Sequence, residues 1–315
     1  MENKGGKIFQ SAYFDNKLQF GYPFDIVIGS GTKGQSYLYW EGNHLFQLPV
    51  SYYTPSNIWI NSPGYPSDRP VFNRMVRGRC LECHSTIFKE IPNTTEEYNK
   101  DQIIYGVGCE KCHGPAAAHV EFHVKNPEEK VGRYIVNSAR FPRQRKLDAC
   151  ALCHSGIGKS LKAPFTFLPG DTLSDYLSSG KSMDTNYTPD VHGNQYQLLS
   201  ASKCFKMSTM NCSSCHNTHM NERNSLIVFS QKCMNCHSEK KGNFCKMAPV
   251  LGASIATNCI DCHMPLSPSK TLTVQGAEQK DHTPVLVRTH FIAVYSEKGS
   301  PVHNYKAFFG KDKAE

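Results

Sequence analysis

The chain is short of apolar residues. Only 39% of its 315 positions are hydrophobic, its mean hydropathy is −0.47, and it has two Trp. No apolar run approaches the roughly 18–20 residues that a membrane-spanning helix needs. Nor is there enough apolar side chain to build a large core from protein alone. The formal charge is +8, but no basic block with interleaved aromatics is present, which argues against a nucleic-acid partner. Low-complexity segments are also missing. After Met1-Glu-Asn-Lys-Gly-Gly-Lys7 no apolar stretch of a secretory leader follows. The length allows two domains.

What the sequence has in excess is cysteine, 14 residues, matched by 14 His. Twelve of the Cys fall into six copies of C-x-x-C-H: Cys80-Leu-Glu-Cys83-His84, Cys109-Glu-Lys-Cys112-His113, Cys150-Ala-Leu-Cys153-His154, Cys212-Ser-Ser-Cys215-His216, Cys233-Met-Asn-Cys236-His237 and Cys259-Ile-Asp-Cys262-His263. Random placement at this composition gives roughly 0.03 copies. The pattern is the attachment signature of c-type haem. Two thiols three positions apart reach the two vinyl groups of one haem edge and form thioethers. The His that follows turns under the iron as proximal ligand. A zinc ribbon has no need of a His after each pair, and a disulfide scaffold gives no reason for one. The sequence therefore predicts six haem c groups, with His84, His113, His154, His216, His237 and His263 as proximal ligands.

Haem changes the charge arithmetic. Twelve propionates and six ferric porphyrins turn +8 into roughly +2 oxidised and −4 reduced. The basic side chains are then largely compensation for propionates. Arg140, Arg143 and Arg145, close to Cys150, are read in that way. Haem c is attached outside the cytoplasm, so the protein is expected in the periplasm or at the cell surface, and the chain is read as a mature or trimmed one, or as one whose gene start is incomplete.

Residues 1–79 contain no Cys and read as a β-rich N-terminal cap. Extended pieces at Phe24–Gly29, Gln35–Trp40, Leu45–Tyr53 and Asn57–Ile60 are separated by Gly- and Pro-rich turns. Residues 80–264 hold every motif and read as a hexahaem domain. Its helical signals are short, at Gly114–His123, Asp171–Leu177 with Asp171 as N-cap, and Asn194–Lys203. Residues 265–315 read as an extended segment wrapping back over that domain. The expected fold class is mainly α and irregular, with little regular secondary structure and a small N-terminal antiparallel β region.

Eight His remain for the sixth iron position. A close-packed electron carrier favours bis-His iron, which is low-spin and reorganises little between redox states; this ligation also lowers the potential relative to His/Met. The distal candidates are His119, His192, His219, His290, His282 and His123. His44 and His303 sit in polar, turn-like contexts and read as solvated. Cys204 and Cys245 are left over and are paired as a candidate disulfide, with two free thiols as the alternative.

Several segments resemble the multihaem cytochromes c. Gly106-Val-Gly-Cys-Glu-Lys-Cys-His-Gly-Pro-Ala-Ala-Ala-His-Val is similar to a G-x-x-C-E-x-C-H-G-P-x-x-x-H motif of that family, which includes the tetrahaem cytochromes that accept electrons from hydroxylamine oxidoreductase. Met210-Asn-Cys-Ser-Ser-Cys-His-Asn-Thr-His resembles their C-x-x-C-H-x-x-H, and Asn258-Cys-Ile-Asp-Cys-His-Met-Pro their C-H-M-P ending. Ile28-Gly-Ser-Gly, Phe46-Gln-Leu-Pro-Val and Arg288-Thr-His-Phe-Ile-Ala-Val-Tyr are similar to larger multihaem cytochromes. The resemblance spans most of residues 25–300. It implies that His119 and His219 are distal ligands. Haem number departs from it, six rather than four, so haem order and partner do not transfer.

The function expected is electron transfer along six haems between redox-protein partners, with no substrate transformed. Two rivals belong to other classes. One is a multihaem reductase of a small nitrogen or sulfur oxyanion at a five-coordinate iron; the C-x-x-C-K marker of such a haem is absent. The other is a subunit of a homo-oligomeric or extended cytochrome assembly.

Overall fold

The computed structural model describes residues 1–178, 189–223, 225–276 and 281–295. His303 lies outside them. Contacts divide the chain into two compact units. The first comprises Met1–Asn137, Ser160–Pro169 and Thr271–Val285; the second comprises Ser138–Lys159, Gly170–Lys270 and Leu286–Glu315.

The first unit is built on β-structure. Strands β1 (Glu2–Lys4), β2 (Lys7–Phe14) and β3 (Lys17–Pro23) form one antiparallel sheet. The β2–β3 turn is Asp15-Asn16, both at positive φ of 47° and 58°. Two such residues in succession give the mirror-image turn that suits a two-residue hairpin. A second sheet holds β4 (Ile26–Ile28), β5 (Gly34–Glu41), β6 (His44–Gln47), β7 (Val50–Tyr53), β8 (Ile58–Asn61) and β9 (Arg74–Met75), in the order β8-β7-β5-β6-β9 with β4 also on β5. Gly34 is needed there, because a Cβ at this position would lie 2.7 Å from the Tyr52 carbonyl oxygen.

Two cores result. Tyr37, Tyr39, Leu48 and Phe72 form an aromatic one. Ile26, Leu38 and Leu45 form the other with Leu81, Phe88 and Tyr98. Leu81 lies inside the first attachment motif, on helix α1 (Gly78–His84). The β-sheet and the first motif therefore share apolar packing. Strands β10 (Ser85–Glu90) and β11 (Tyr98–Tyr105) follow α1 directly and pair as a bulged antiparallel hairpin. Helix α2 (Cys109–His113) carries the second motif and α3 (Ala117–Lys125) follows it.

The second unit is helical and irregular. Helix α4 (Arg143–His154) ends on the third motif and buries Leu147, Ala151 and Leu152. Helices α5 (Gln195–Ala201) and α6 (Lys203–Lys206) come next, then α7 (Leu226–Met234), α8 (Ala248–Leu251) and α9 (Ile260–His263). Leu198 and Ala201 of α5 pack on Phe291. Leu266–Val274 and Thr283–Arg288 are strands.

The expectation of a mainly α and irregular chain is overturned: among the described residues helix, 3-10 turns included, makes up 29% and strand 28%. The reason is local. Each C-x-x-C-H needs only one helical turn, and α1, α2 and α9 are 7, 5 and 4 residues long. Strands that the sequence reading passed over, β1–β3 and β10–β11, supply the balance. The segment at Asp171–Leu177 also differs. It forms a short 3-10 turn at Leu173–Asp175 whose N-cap is Thr172; Asp171 accepts a hydrogen bond from the Tyr176 hydroxyl at 2.5 Å instead.

Candidate haem attachment sites

Each motif closes one turn, so that its two Cys and its His lie on one side. In motifs four to six the His backbone N–H donates to the carbonyl of the first Cys, His216 to Cys212 at 3.0 Å, His237 to Cys233 at 2.9 Å and His263 to Cys259 at 3.1 Å. Residues i, i+3 and i+4 of a helical turn share a face. None of the twelve motif cysteines is buried.

The proximal His rings are oriented by their second nitrogen. His113 Nδ1 lies 2.8 Å from the Val136 carbonyl oxygen and His263 Nδ1 2.8 Å from that of Ala293. His237 Nδ1 is 3.3 Å from the Asn243 carbonyl, and His154 Nδ1 3.3 Å from Gln195 Oε1. An Nδ1–H that donates to oxygen fixes the tautomer and leaves Nε2 with its lone pair for iron. In His113, His154, His237 and His263 an oxygen thus lies against Nδ1. The residues present fit haem c. They would hold it through two thioethers and one Nε2 per motif.

The motifs are arranged in groups. In the first unit, the end of motif one and the start of motif two meet at the base of the β10–β11 hairpin. Ser85 pairs with Tyr105, the Thr86 hydroxyl donates to the Gly106 carbonyl at 2.8 Å, and the Gly108 N–H donates back to Thr86 Oγ1 at 2.8 Å. The second unit holds the other four motifs. Arg143 ties α4 to the segment before motif four, donating to the carbonyls of Met210 at 2.8 Å and Phe205 at 3.1 Å and stacking on the Phe205 ring. Arg145 pairs with Asp148 at 2.7 Å. The Cys150 thiol is hydrogen-bonded to Cys212, which holds its own proton tightly and favours the Cys212 thiolate. Once both are thioethers neither titrates; their proximity is what matters.

The distal candidates separate by environment. His119 and His123 stand one turn apart on α3, with ring centres 4.6 Å from each other. His119 Nδ1 is 2.7 Å from the Arg133 carbonyl, which leaves its Nε2 available; His123 Nε2 instead accepts from the Arg133 N–H at 3.3 Å. His192 follows Asp190, whose carboxylate receives its backbone N–H at 2.7 Å. Burial pushes the His192 imidazole below its ordinary range, Asp190 opposes the shift and His154 adds to it. His219 is exposed just beyond motif four, its N–H on Asn217 Oδ1 at 3.0 Å. His282 is exposed and lies in the first unit, 3.4 Å from Thr273 Oγ1. His290 sits 6.2 Å from His216, ring centre to ring centre. His44 opens β6. The Cys204 and Cys245 thiols are both free in this structure. Burial and Cys236 raise the Cys204 thiol. The oxygens that orient the rings were not found from sequence, because most are backbone carbonyls brought in from 6 to 30 positions away and leave no residue-type signature.

Among the described residues no helix is long and apolar enough to cross a membrane. A family model described as cytochrome c554 and c-prime matches residues 69–114, the stretch that holds the first two motifs. No curated protein matches the chain. Among solved structures, that of the outer cell wall cytochrome OcwA is similar, with a TM-score of 0.51 and 18% identity over 86% of this chain and 68% of that one. At that identity the likeness is one of fold. Repeated C-x-x-C-H motifs, a cytochrome c family match across two of them and a fold shared with a cytochrome agree in their likeness to the multihaem cytochromes c.

Proposed function

We propose that the chain carries six haem c groups and acts as a multihaem wire, passing single electrons between redox partners that dock outside the cytoplasm. Each haem, when bound, supplies a one-electron ferric–ferrous couple. This chain's own residues attach, orient and space those groups. The twelve Cys fix them covalently, so that a thin core suffices. The Nδ1–carbonyl contacts at His113, His154, His237 and His263 hold the ligating nitrogens steady and keep the imidazoles basic, which favours ferric iron. Bis-His iron, with the distal ligands drawn from His119, His192, His219, His290, His282 and His123, keeps reorganisation small.

The observation that carries this reading is the convergence of four motifs in one unit, with Arg143 of α4 tying motif three to the segment before motif four. Attachment points that meet bring neighbouring haem edges within electron-transfer range. The test is a coulometric reductive titration of the purified holoprotein. Six electrons per chain are expected, falling to five in the Cys150→Ala/Cys153→Ala double variant. A wild-type count below six contradicts the reading.

A further inference from the structure

We infer that His216 and His290 are the two axial ligands of one iron, that of the haem attached at Cys212 and Cys215. The inference rests on the proposed haem attachment and deepens it by assigning one complete coordination sphere. Both residues belong to the second unit.

Distance is the first argument. An imidazole–metal bond of about 2.0 Å, with about 1.15 Å from nitrogen to ring centre, places two trans rings about 6.3 Å apart. The His216 and His290 ring centres are 6.2 Å apart, with 25° between their planes.

An unmet polar atom is the second. His290 Nδ1 is buried and has no hydrogen-bond partner. A buried donor or acceptor left unpaired costs about 1–3 kcal/mol. The protein supplies this ring nitrogen with no partner, and a bound metal is one that would meet it.

Rigidity is the third. His290 is held from both sides. Arg288 before it forks onto the carbonyls of Ile260 at 3.2 Å and Met264 at 2.8 Å, and onto Asp261 Oδ1 at 2.7 Å. The Thr289 N–H donates to the Pro265 carbonyl at 3.1 Å. After it, Phe291 is buried against Leu198 and Ala201, and the Ile292 N–H donates to Ser202 Oγ at 2.8 Å. The ring is delivered to His216 by a segment fastened to motif six and to α5. His219, three residues after His216, is exposed.

The assignment has a functional consequence. An iron closed on both faces cannot bind an external oxyanion, so this haem is a relay and not a reaction site. The small angle between the ring planes predicts a rhombic low-spin electron paramagnetic resonance signal rather than the strongly anisotropic one of perpendicular imidazoles.

The test uses the haem-loaded protein, with its intact mass checked first. His290→Ala should keep every haem, convert one iron from low-spin to high-spin and let the protein bind one more equivalent of cyanide than the wild type. His290→Met should keep that iron low-spin, add the red absorption band of methionine ligation and raise one midpoint potential. In a Cys212→Ser/Cys215→Ser background neither substitution should change the remaining haems. Unchanged spectra in both single variants overturn the pairing, as does a change that persists in that background. A wild-type mass without haem overturns the attachment reading instead, so the two failures are distinguishable.

Discussion

At the scale of the residue, function depends on which nitrogen or oxygen a side chain leaves free. The C-x-x-C-H spacing makes a proximal role for its His an expectation of the sequence, because haem c chemistry calls for that residue at that position. The partners that aim the ring are not legible: Val136 and Ala293 act through carbonyls that any residue would carry. Charge near the first motif behaves in the same way. Glu90 is partly buried, and that burial, with repulsion from Glu96, holds its carboxyl above the ordinary 4.5. Glu96 itself is fixed by the Gly78 N–H at 2.6 Å and the Tyr98 hydroxyl at 2.7 Å, so it cannot move away. A raised carboxyl binds its proton more tightly folded than unfolded, so stability is present at low pH and lost as pH rises through the raised value. Glu90→Gln should therefore raise the thermal midpoint at about pH 7–8, with the advantage over wild type vanishing below about pH 4.5. Scanning calorimetry across that range checks it; an equal shift at every pH would show that ionisation of Glu90 is irrelevant.

At the scale of the element, the strands of the second sheet were legible from period-2 alternation between turn residues, and β5 to β8 fall on the expected segments. The β1–β3 sheet was missed although Asp15-Asn16 is a hairpin turn signal, because the flanking strands expose residues such as Ile8, Phe14, Leu18 and Phe20 and so lack a clean polar–apolar alternation. The β10–β11 hairpin was missed because bulges break its register. That hairpin brings two attachment sites together, and Thr86 closes it. Thr86→Val keeps the shape and removes both hydroxyl bonds; a loss of about 1 kcal/mol is expected. Thr86→Ser, which keeps the hydroxyl, should recover most of it. Chemical denaturation of the holoprotein measures both, and a Thr86→Val protein as stable as wild type would remove the hydroxyl from the account.

At the scale of the whole molecule, a low apolar fraction and a high count of Cys and His pointed to haem as part of the interior. The family match and the shared fold agree with a cytochrome c. What composition did not reveal is the division into two units, since the chain crosses between them more than once and neither is a continuous stretch. Only long-range packing, such as Phe291 on α5 or Leu81 against the β-sheet, defines them. The central claim is covalent: twelve sulfurs of this polypeptide bonded to six porphyrins. Intact mass spectrometry of protein matured with a working haem-attachment system tests it most directly. The account predicts the 35.3 kDa of the polypeptide plus six increments of about 0.6 kDa each. A mass equal to the bare polypeptide, or one short of six increments in fully matured material, would contradict it.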